Sequence, residues 1–370
     1  MRIALVATGG FDRSGRERVI PALVWLVERL AVHHDVVVYV LRYHERPTRY
    51  ALRGATVHDL GRPQGFARQF QALTQAMRSD APFDVVHGYW GHPAGLLAAL
   101  VGRRLGIPSV VTCDSGEFTH VPTIGYGLQG RLSSRLAVWA ATRLATRVTV
   151  CSQFQADLAR RCGIDPTVVP LGVDRALFPR TPRPTDGPPW RLLHVASLNP
   201  VKGQTTLLTA LARLVERGLD VTLDLVGEDT MHGRLQALAT TLGIEDRVRV
   251  HGFVPSDRLS TLHQQARLFV LSSHHEAAGV VLLEAAASGL PVLGTHVGYL
   301  ADWHALGVPT VLPGNALALA DAIASHLLDP APLHAAMAAV TDWARTHDAD
   351  WSAEAMAALY AEVGGRRTGE

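Results

Sequence analysis

The sequence predicts an α/β protein built on two open parallel sheets, and three observations lead there. Apolar runs of strand length alternate with amphipathic stretches of helix length through both halves of the chain. The alternation is interrupted once, by FPRTPRPTDGPPW (178–190), whose prolines and glycine no regular element tolerates. The length of 370 residues suits two domains, and 48% hydrophobic with 18% charged residues suits well-filled cores.

In the first half, RIALVAT (2–8) reads as a buried strand ending at Gly9-Gly10, followed by a helical pattern over 18–31. DVVVYVL (35–41), DVVHGY (84–89), PSVVT (108–112) and RVTVC (147–151) read as further strands with helices between them. Ser152 with Gln155 three residues on reads as a capping box opening the next helix. After the interruption the alternation restarts with RLLHVAS (191–197), a helix from Gln204, VTLDLVG (221–227), another helix, RVRVHGF (247–253) and LFVLSS (268–273). The expected organisation is a first Rossmann-like domain over 1–180, a linker over 181–190 and a second Rossmann-like domain over 191–350. Two such sheets facing each other would form a cleft, since ligands of doubly wound sheets bind beyond the carboxyl ends of the strands.

The totals exclude several classes. A net charge of +2 is too small to suggest a nucleic-acid partner. Three cysteines (Cys113, Cys151, Cys162), odd in number and without paired spacing, point to a reducing compartment. The opening apolar run is too short for a signal peptide, and no apolar stretch is long enough to cross a bilayer. The expected location is cytoplasmic, with any membrane contact peripheral, at the inner face. Arg42, Arg46, Arg49 and Arg53 form a small basic cluster that reads first as solvated surface and second as a seat for anionic headgroups or a phosphorylated acceptor. Arginines from 131 to 147 surround the stripe Leu132, Leu136, Trp139, which reads as ordinary amphipathic packing. No metal is expected: Asp348-Ala349-Asp350 reads as a helix cap, and His274-His275-Glu276 lacks the spacing that puts two ligands on one helix face.

Two stretches carry chemistry. Of 35 basic side chains, 34 (35 − 1) are arginine, and the single lysine is Lys202 in LNPVKGQ (198–204). It follows the first strand of the second half and precedes Gly203 and a helix, where unpaired amides and the helix dipole favour phosphate. A compact ammonium on a flexible stem fits a narrow gap that a planar guanidinium does not. The second stretch is HHEAAGVVLLEAAASGLPVLGT (274–295). Glu276 stands before a helix, Gly279 in its first turn allows a close backbone approach, and Glu284 sits in a helix apolar on nearly every side. A buried carboxylate needs a partner, which ribose hydroxyls or a distant arginine could supply.

These residues resemble family 4 (group 1) glycosyltransferases, retaining enzymes of GT-B fold that use nucleotide sugars. Glu276 and Glu284 match the family's E-x7-E motif. LNPVKG, LVGEDT (225–230), VRVHGFVP (248–255) and VVPLGVDRALF (168–178) are similar to its other motifs, and SGRERV (14–19) to its N-terminal glycine loop. The resemblance covers almost the whole chain. It implies two Rossmann-like domains facing across a cleft, with WSAEAMAALYAEV (351–363) resembling the family segment that crosses back, so that 351–370 rejoin the first domain. It implies no cofactor, and a UDP-sugar or GDP-sugar as sugar donor. Lys202 would contact the diphosphate, Glu276 the transferred sugar and Glu284 the ribose. Ser197, Gly203, Ala278, Gly279 and Val280 would line the phosphates, Val254 the base, and Gly10 and Gly15 would approach from the first domain. His87, Trp90, His92 and Asp114 would lie on the acceptor side, with Asp114 counted with Lys202 and Glu276 as catalytic. The acceptor would be a carbohydrate, a lipid-linked compound or a small molecule. Two positions depart from the pattern: Ser197 stands where an arginine is common, and Asp114 where a histidine is. Hence the alternatives are a nucleotide-sugar-modifying, epimerase-like or phosphorylase-like enzyme, or a non-catalytic protein, on the same fold.

Overall fold

Parallel strands must be covered on both faces, so their side chains are apolar throughout rather than alternately. The computed structural model, which describes residues 1–182 and 187–365, shows this in two separate compact units. Unit 1 is Met1–Gly172 together with the chain from Ala349 onward; unit 2 is Val173–Asp348. Residues 183–186 of the expected linker and 366–370 of the closing stretch lie outside the described residues.

Unit 1 runs β1 (Arg2–Ala7), α1 (Pro21–His33), β2 (Asp35–Val40), β3 (Thr48–Leu52), β4 (Ala55–Asp59), α2 (Phe66–Asp80), β5 (Val85–Tyr89), α3 (Leu96–Leu105), β6 (Ser109–Thr112), α4 (Leu132–Leu144), β7 (Arg147–Val150), α5 (Gln153–Arg161) and β8 (Thr167–Val168). Its eight strands lie in the order β3-β4-β2-β1-β5-β6-β7-β8. Every pair is parallel except β3 with β4. That hairpin is absent from the sequence reading. Its two-residue turn is Arg53-Gly54, both at positive φ, and an arginine in the first position hides the usual signal. The helix expected over 18–31 begins at Pro21, whose fixed φ suits a first helical turn. Only half of the expected capping box forms: Ser152 accepts from the Gln155 amide, but the Gln155 side chain donates to the carbonyls of Ser115 and Cys113 instead.

Unit 2 runs β9 (Trp190–Val195), α6 (Gln204–Glu216), β10 (Val221–Val226), α7 (Arg234–Thr241), β11 (Val248–Gly252), α8 (Ser256–Gln265), β12 (Leu268–Leu271), α9 (Val280–Ala287), β13 (Val292–Thr295), α10 (Gly298–Trp303), β14 (Thr310–Val311), α11 (Ala316–Leu328) and α12 (Ala331–Thr346). Its six strands, all parallel, lie in the order β11-β10-β9-β12-β13-β14. The strand expected from 191 starts one residue earlier, at the end of the expected linker.

The last helix, α13 (Ala349–Gly365), packs on α1 and β5 within unit 1. Ser352 donates to the Pro170 carbonyl and accepts from the Gly172 amide, both at 2.7 Å. Asp350 pairs with Arg29 and Asp348 with Arg175, so these two carboxylates tie elements together. Tyr360 is fully buried, and its hydroxyl lies 2.6 Å from Nδ1 of His87, whose Nε2 lies 2.7 Å from Thr112. Burial pushes the His87 pKa down to about 3, so the ring is a neutral core member. It is not open to an acceptor as the family resemblance implies, because both ring nitrogens are spent inside the unit. Tyr360→Phe should leave His87 with an unsatisfied buried nitrogen and cost ~1–3 kcal/mol; a urea midpoint shift with unchanged m-value measures it.

Candidate functional site

In an open parallel sheet a crevice forms where successive connections leave in opposite directions. In unit 2 that point lies between β9 and β12, since β9 is flanked by β10 on one side and β12 on the other. LNPVKG leaves β9 there, and SSHHEAAG leaves β12. The Lys202 segment is a single 3-10 turn, Pro200–Lys202, capped by Asn199, whose side chain accepts from the amides of Val201 and Lys202. The two connections are stitched together: the Ser272 hydroxyl donates to the Lys202 carbonyl at 2.8 Å and the His274 amide to the Val201 carbonyl at 2.7 Å. Gly203 has φ +63°, and a Cβ there would fall 2.1 Å from the Ser272 carbonyl oxygen. Only glycine fits, and Gly203 caps α6.

Behind this turn lies a relay that the sequence reading missed. His194 is buried on β9, and Nδ1–H donates to the Val270 carbonyl at 2.9 Å. Its Nε2 is then the acceptor for the Gln204 amide at 3.2 Å, and Gln204 also donates to the Ser197 carbonyl at 3.1 Å. Burial lowers the His194 pKa to about 4, keeping the ring neutral for that acceptor role. Ser197 itself is exposed at the end of β9.

The Lys202 ammonium donates to both carboxylate oxygens of Glu276, at 2.7 and 2.9 Å. The Ser273 hydroxyl donates to Oε1 of the same carboxylate at 2.6 Å. Burial opposes ionisation of Glu276, but the Lys202 charge, its hydrogen bonds and that of Ser273 outweigh it and hold the carboxyl below its ordinary range. Lys202 and Glu276, read from sequence as separate contacts, form one ion pair across the crevice, with 26% and 11% of their side chains exposed.

Three residues after Glu276, Gly279 caps α9 with φ +86° and no side chain accepts from the first-turn amides. Helix α9 starts at Val280, so Gly279 precedes the helix and is not within its first turn. Gly298 holds the buried Ala278 close: its own φ is +53°, a Cβ would lie 2.3 Å from the Ala278 carbonyl oxygen, and the Tyr299 amide donates to that oxygen at 2.8 Å. Val280 is half-buried at the open end of the helix, and Val254 is half-buried in the connection after β11. Glu284 lies one turn into α9. It is 4% exposed, and its Oε2 has no hydrogen-bond partner among the described residues. Burial pushes its pKa up to about 8. Among the described residues no arginine pairs with it, so the distant arginine considered as its partner is not among them.

Unit 1 carries a second crevice, at its own reversal point between β1 and β5. A hollow of about 650 Å³ opens there, with Thr8, Arg42, Trp90, His92 and Arg131 on its walls. Trp90 has φ +67°, a strained conformation for a non-glycine residue of the kind that collects at functional sites. Glu117, which the sequence reading missed, holds the turn: its buried carboxylate accepts from the amides of Gly91 at 2.9 Å and Ser115 at 2.7 Å. Burial raises its pKa, with those amide bonds opposing. His92 stacks on Phe66, and its buried Nδ1 has no partner among the described residues. Asp114 does not line the hollow; its carboxylate lies against the buried Cys151 thiol, which burial and that carboxylate push up in pKa. Gly10 and Gly15, at φ +88° and +64°, shape a loop closed by a Phe11–Val19 bridge and by the Tyr43 hydroxyl on Asp12. The arginine cluster of this unit is partly neutralised, with Arg49 on Asp80 and Arg53 on Glu28, while Arg42 faces the hollow. Among the described residues no group of three or more His, Cys, Asp or Glu could hold a metal ion.

Two family models match the chain: "Glycosyl transferase 4-like domain" over residues 19–172 and "Glycosyl transferases group 1" over residues 180–341. A D-inositol 3-phosphate glycosyltransferase of Catenulispora acidiphila is 31% identical over 357 residues, spanning 88% of this chain and 79% of that protein. Sucrose-phosphate synthase from Thermosynechococcus elongatus superposes with a TM-score of 0.82 at 22% identity, over 99% of this chain and all (100%) of the other. Anabaena HepE, in complex with UDP-glucose, gives a TM-score of 0.75 at 19% identity over 98% of this chain and 100% of its own. Both superpositions give the fold: two parallel-sheet α/β domains of the GT-B class.

Removing the Lys202 charge strands a buried carboxylate. Lys202→Met should cost ~3 kcal/mol, the lower end for a broken buried pair because the lysine keeps some exposure. The double variant Lys202→Met/Glu276→Gln should recover most of that loss, as urea unfolding of all four proteins will show; additive losses would mean the pair is not coupled. Glu284 sets a pH signature. With its folded pKa at about 8 against 4.5 unfolded, the native state holds a proton that the unfolded state has released between those values. Stability should therefore fall as pH rises from about 4.5 to about 8 and level off above. Glu284→Gln should remove this decline, so its melting-temperature advantage over the parent should grow across that window.

Proposed function

Because the chain belongs to the group 1, family 4 glycosyltransferases, we propose that it moves a sugar from a nucleoside-diphosphate donor to a hydroxyl acceptor with retention of anomeric configuration. The observation that carries this reading is the convergence at one crevice of a fixed ammonium, an uncapped helix start and a buried carboxylate with an unpartnered oxygen. The first two suit a diphosphate; the third suits the paired hydroxyls of a ribose.

In the proposed reaction the bond from the anomeric carbon to the diphosphate oxygen breaks, and the acceptor oxygen bonds to that carbon from the same face. The acceptor proton passes to the departing diphosphate, so no covalent enzyme intermediate forms. Lys202 and the first-turn amides of α9 stabilise the charge that develops on the leaving group, which is electrostatic catalysis by groups already in place. Glu276 aims the ammonium and contacts the transferred sugar; Ser273 holds Glu276. Glu284 takes the ribose hydroxyls. UDP is the first nucleotide to test, because HepE is described with UDP-glucose. The hollow of unit 1 is the proposed acceptor seat, and Arg42 and Arg131 on its wall favour an acceptor carrying negative charge. A relative that acts on inositol 3-phosphate accords with that.

A panel of UDP- and GDP-sugars should reveal slow donor hydrolysis with one of them, insensitive to chelator. Sugar isomerisation, or binding without turnover, would contradict the reading. With that donor, Lys202→Arg should keep the ion pair but lose at least ~10-fold in turnover, about 1.4 kcal/mol of transition-state stabilisation. Glu284→Gln should weaken binding of the nucleotide alone by ~1.5–3 kcal/mol. Hydroxyl groups donating to Glu284 favour its ionised form, so nucleotide binding near pH 7 should release a proton, read by calorimetry in buffers of different ionisation enthalpy.

A further inference from the structure

Helix α4 turns its apolar stripe outward. Leu132, Leu136 and Trp139 are 69%, 55% and 56% exposed, although their spacing had suggested packing. The residues that α4 buries are Val138, Ala141 and Thr142, on its other side. Positions i, i+4 and i+7 share one face, so the three exposed side chains form a continuous ridge. Beside it lies a hollow of about 410 Å³ lined by Phe118, Leu132, Leu136 and Trp139 together with Arg135 and Arg161, and by no carboxylate among the described residues. Arg131, Arg135, Arg143 and Arg161 are exposed, and none forms an ion pair among the described residues. Their neighbour Arg160 is neutralised by Asp157 and Asp165. A monomeric soluble protein rarely exposes such a ridge without a use for it.

Charge decides between occupants. A second copy meeting this face through a two-fold axis would set arginine against arginine around the ridge. An anionic lipid surface supplies what the face lacks: Trp and Leu enter the headgroup–acyl boundary while arginines lie over the phosphates, the composition of interfacial helices. We propose that the outward face of α4 seats unit 1 on an anionic membrane. The same helix reaches the unit's other hollow through Arg131 and Ser134, which wall it. A lipid-borne acceptor held at the surface would thus be presented beside that hollow.

The test is sedimentation of the full chain with vesicles of phosphatidylglycerol and phosphatidylcholine, or of phosphatidylcholine alone. Binding to the anionic vesicles should be at least ~10-fold tighter and fall steeply with salt. Leu136→Ser/Trp139→Ser and Arg135→Glu/Arg161→Glu should each weaken it at least ~10-fold, with unchanged melting curves and unchanged donor hydrolysis, because none of these side chains is placed in the transfer site. No preference for anionic vesicles, or undiminished binding by both variants, would overturn the proposal. So would concentration-dependent dimerisation without lipid that Leu136→Ser/Trp139→Ser abolishes, since the face would then belong to a second copy. A melting curve lowered in one variant leaves the other, and the lipid comparison itself, to decide.

Discussion

The ion pair between Lys202 and Glu276 is the contact on which the unit 2 crevice depends. Each partner leaves a different strand, Lys202 after β9 and Glu276 after β12, at the one place in the sheet where the chain direction forks. Neither side chain is tolerable alone at this depth: an unpaired buried carboxylate would take up a proton, and an unpaired ammonium would draw the turn toward water. Together, with Ser273 on the carboxylate, they fix the position of the ammonium beside two helix starts whose first-turn amides no side chain caps.

Backbone geometry carries the rest. Gly203 allows the Lys202 turn to press against the Ser272 carbonyl, and Gly298 allows the chain to close over Ala278. His194 and Gln204 hold the turn from behind, with His194 kept neutral by burial so that one nitrogen can accept. Two buried oxygens in this region, Oε2 of Glu284 and Oε1 of Gln204, have no hydrogen-bond partner among the described residues. An oxygen buried without a partner costs free energy in the empty protein, and a ligand that supplies hydroxyls recovers it. The local instability and the proposed ribose contact are two aspects of one arrangement.

Much of this was legible in the sequence. Strands β1, β2, β5, β6 and β7 of one sheet and β9, β10, β11 and β12 of the other follow from runs rich in apolar residues, while β3, β4, β8, β13 and β14 do not, and the solitary lysine marks its own importance against 34 arginines (35 − 1). Pairwise facts were harder to read. Nothing in a one-dimensional pattern says that residues 202 and 276 touch, because that contact arises from strand order and not from spacing. Glu117 was invisible for the same reason: its work is done through the amides of Gly91 and Ser115. The family resemblance misled at His87, and periodicity at α4. A histidine on a strand can be spent on a helix at the far end of the chain, here through Tyr360, and a stripe at helical spacing states which residues share a face but not whether that face is covered.

Having one lysine allows the central claim to be tested without mutation. Protein grown with lysine labelled at the ε-carbon will give a single side-chain resonance, that of Lys202. Titration with UDP or GDP, whichever binds by calorimetry, should move that resonance, while the matching nucleoside without phosphates should leave it in place. A resonance that stays fixed while the nucleoside diphosphate binds would mean that the ammonium is only a structural partner of Glu276 and that the diphosphate lies elsewhere.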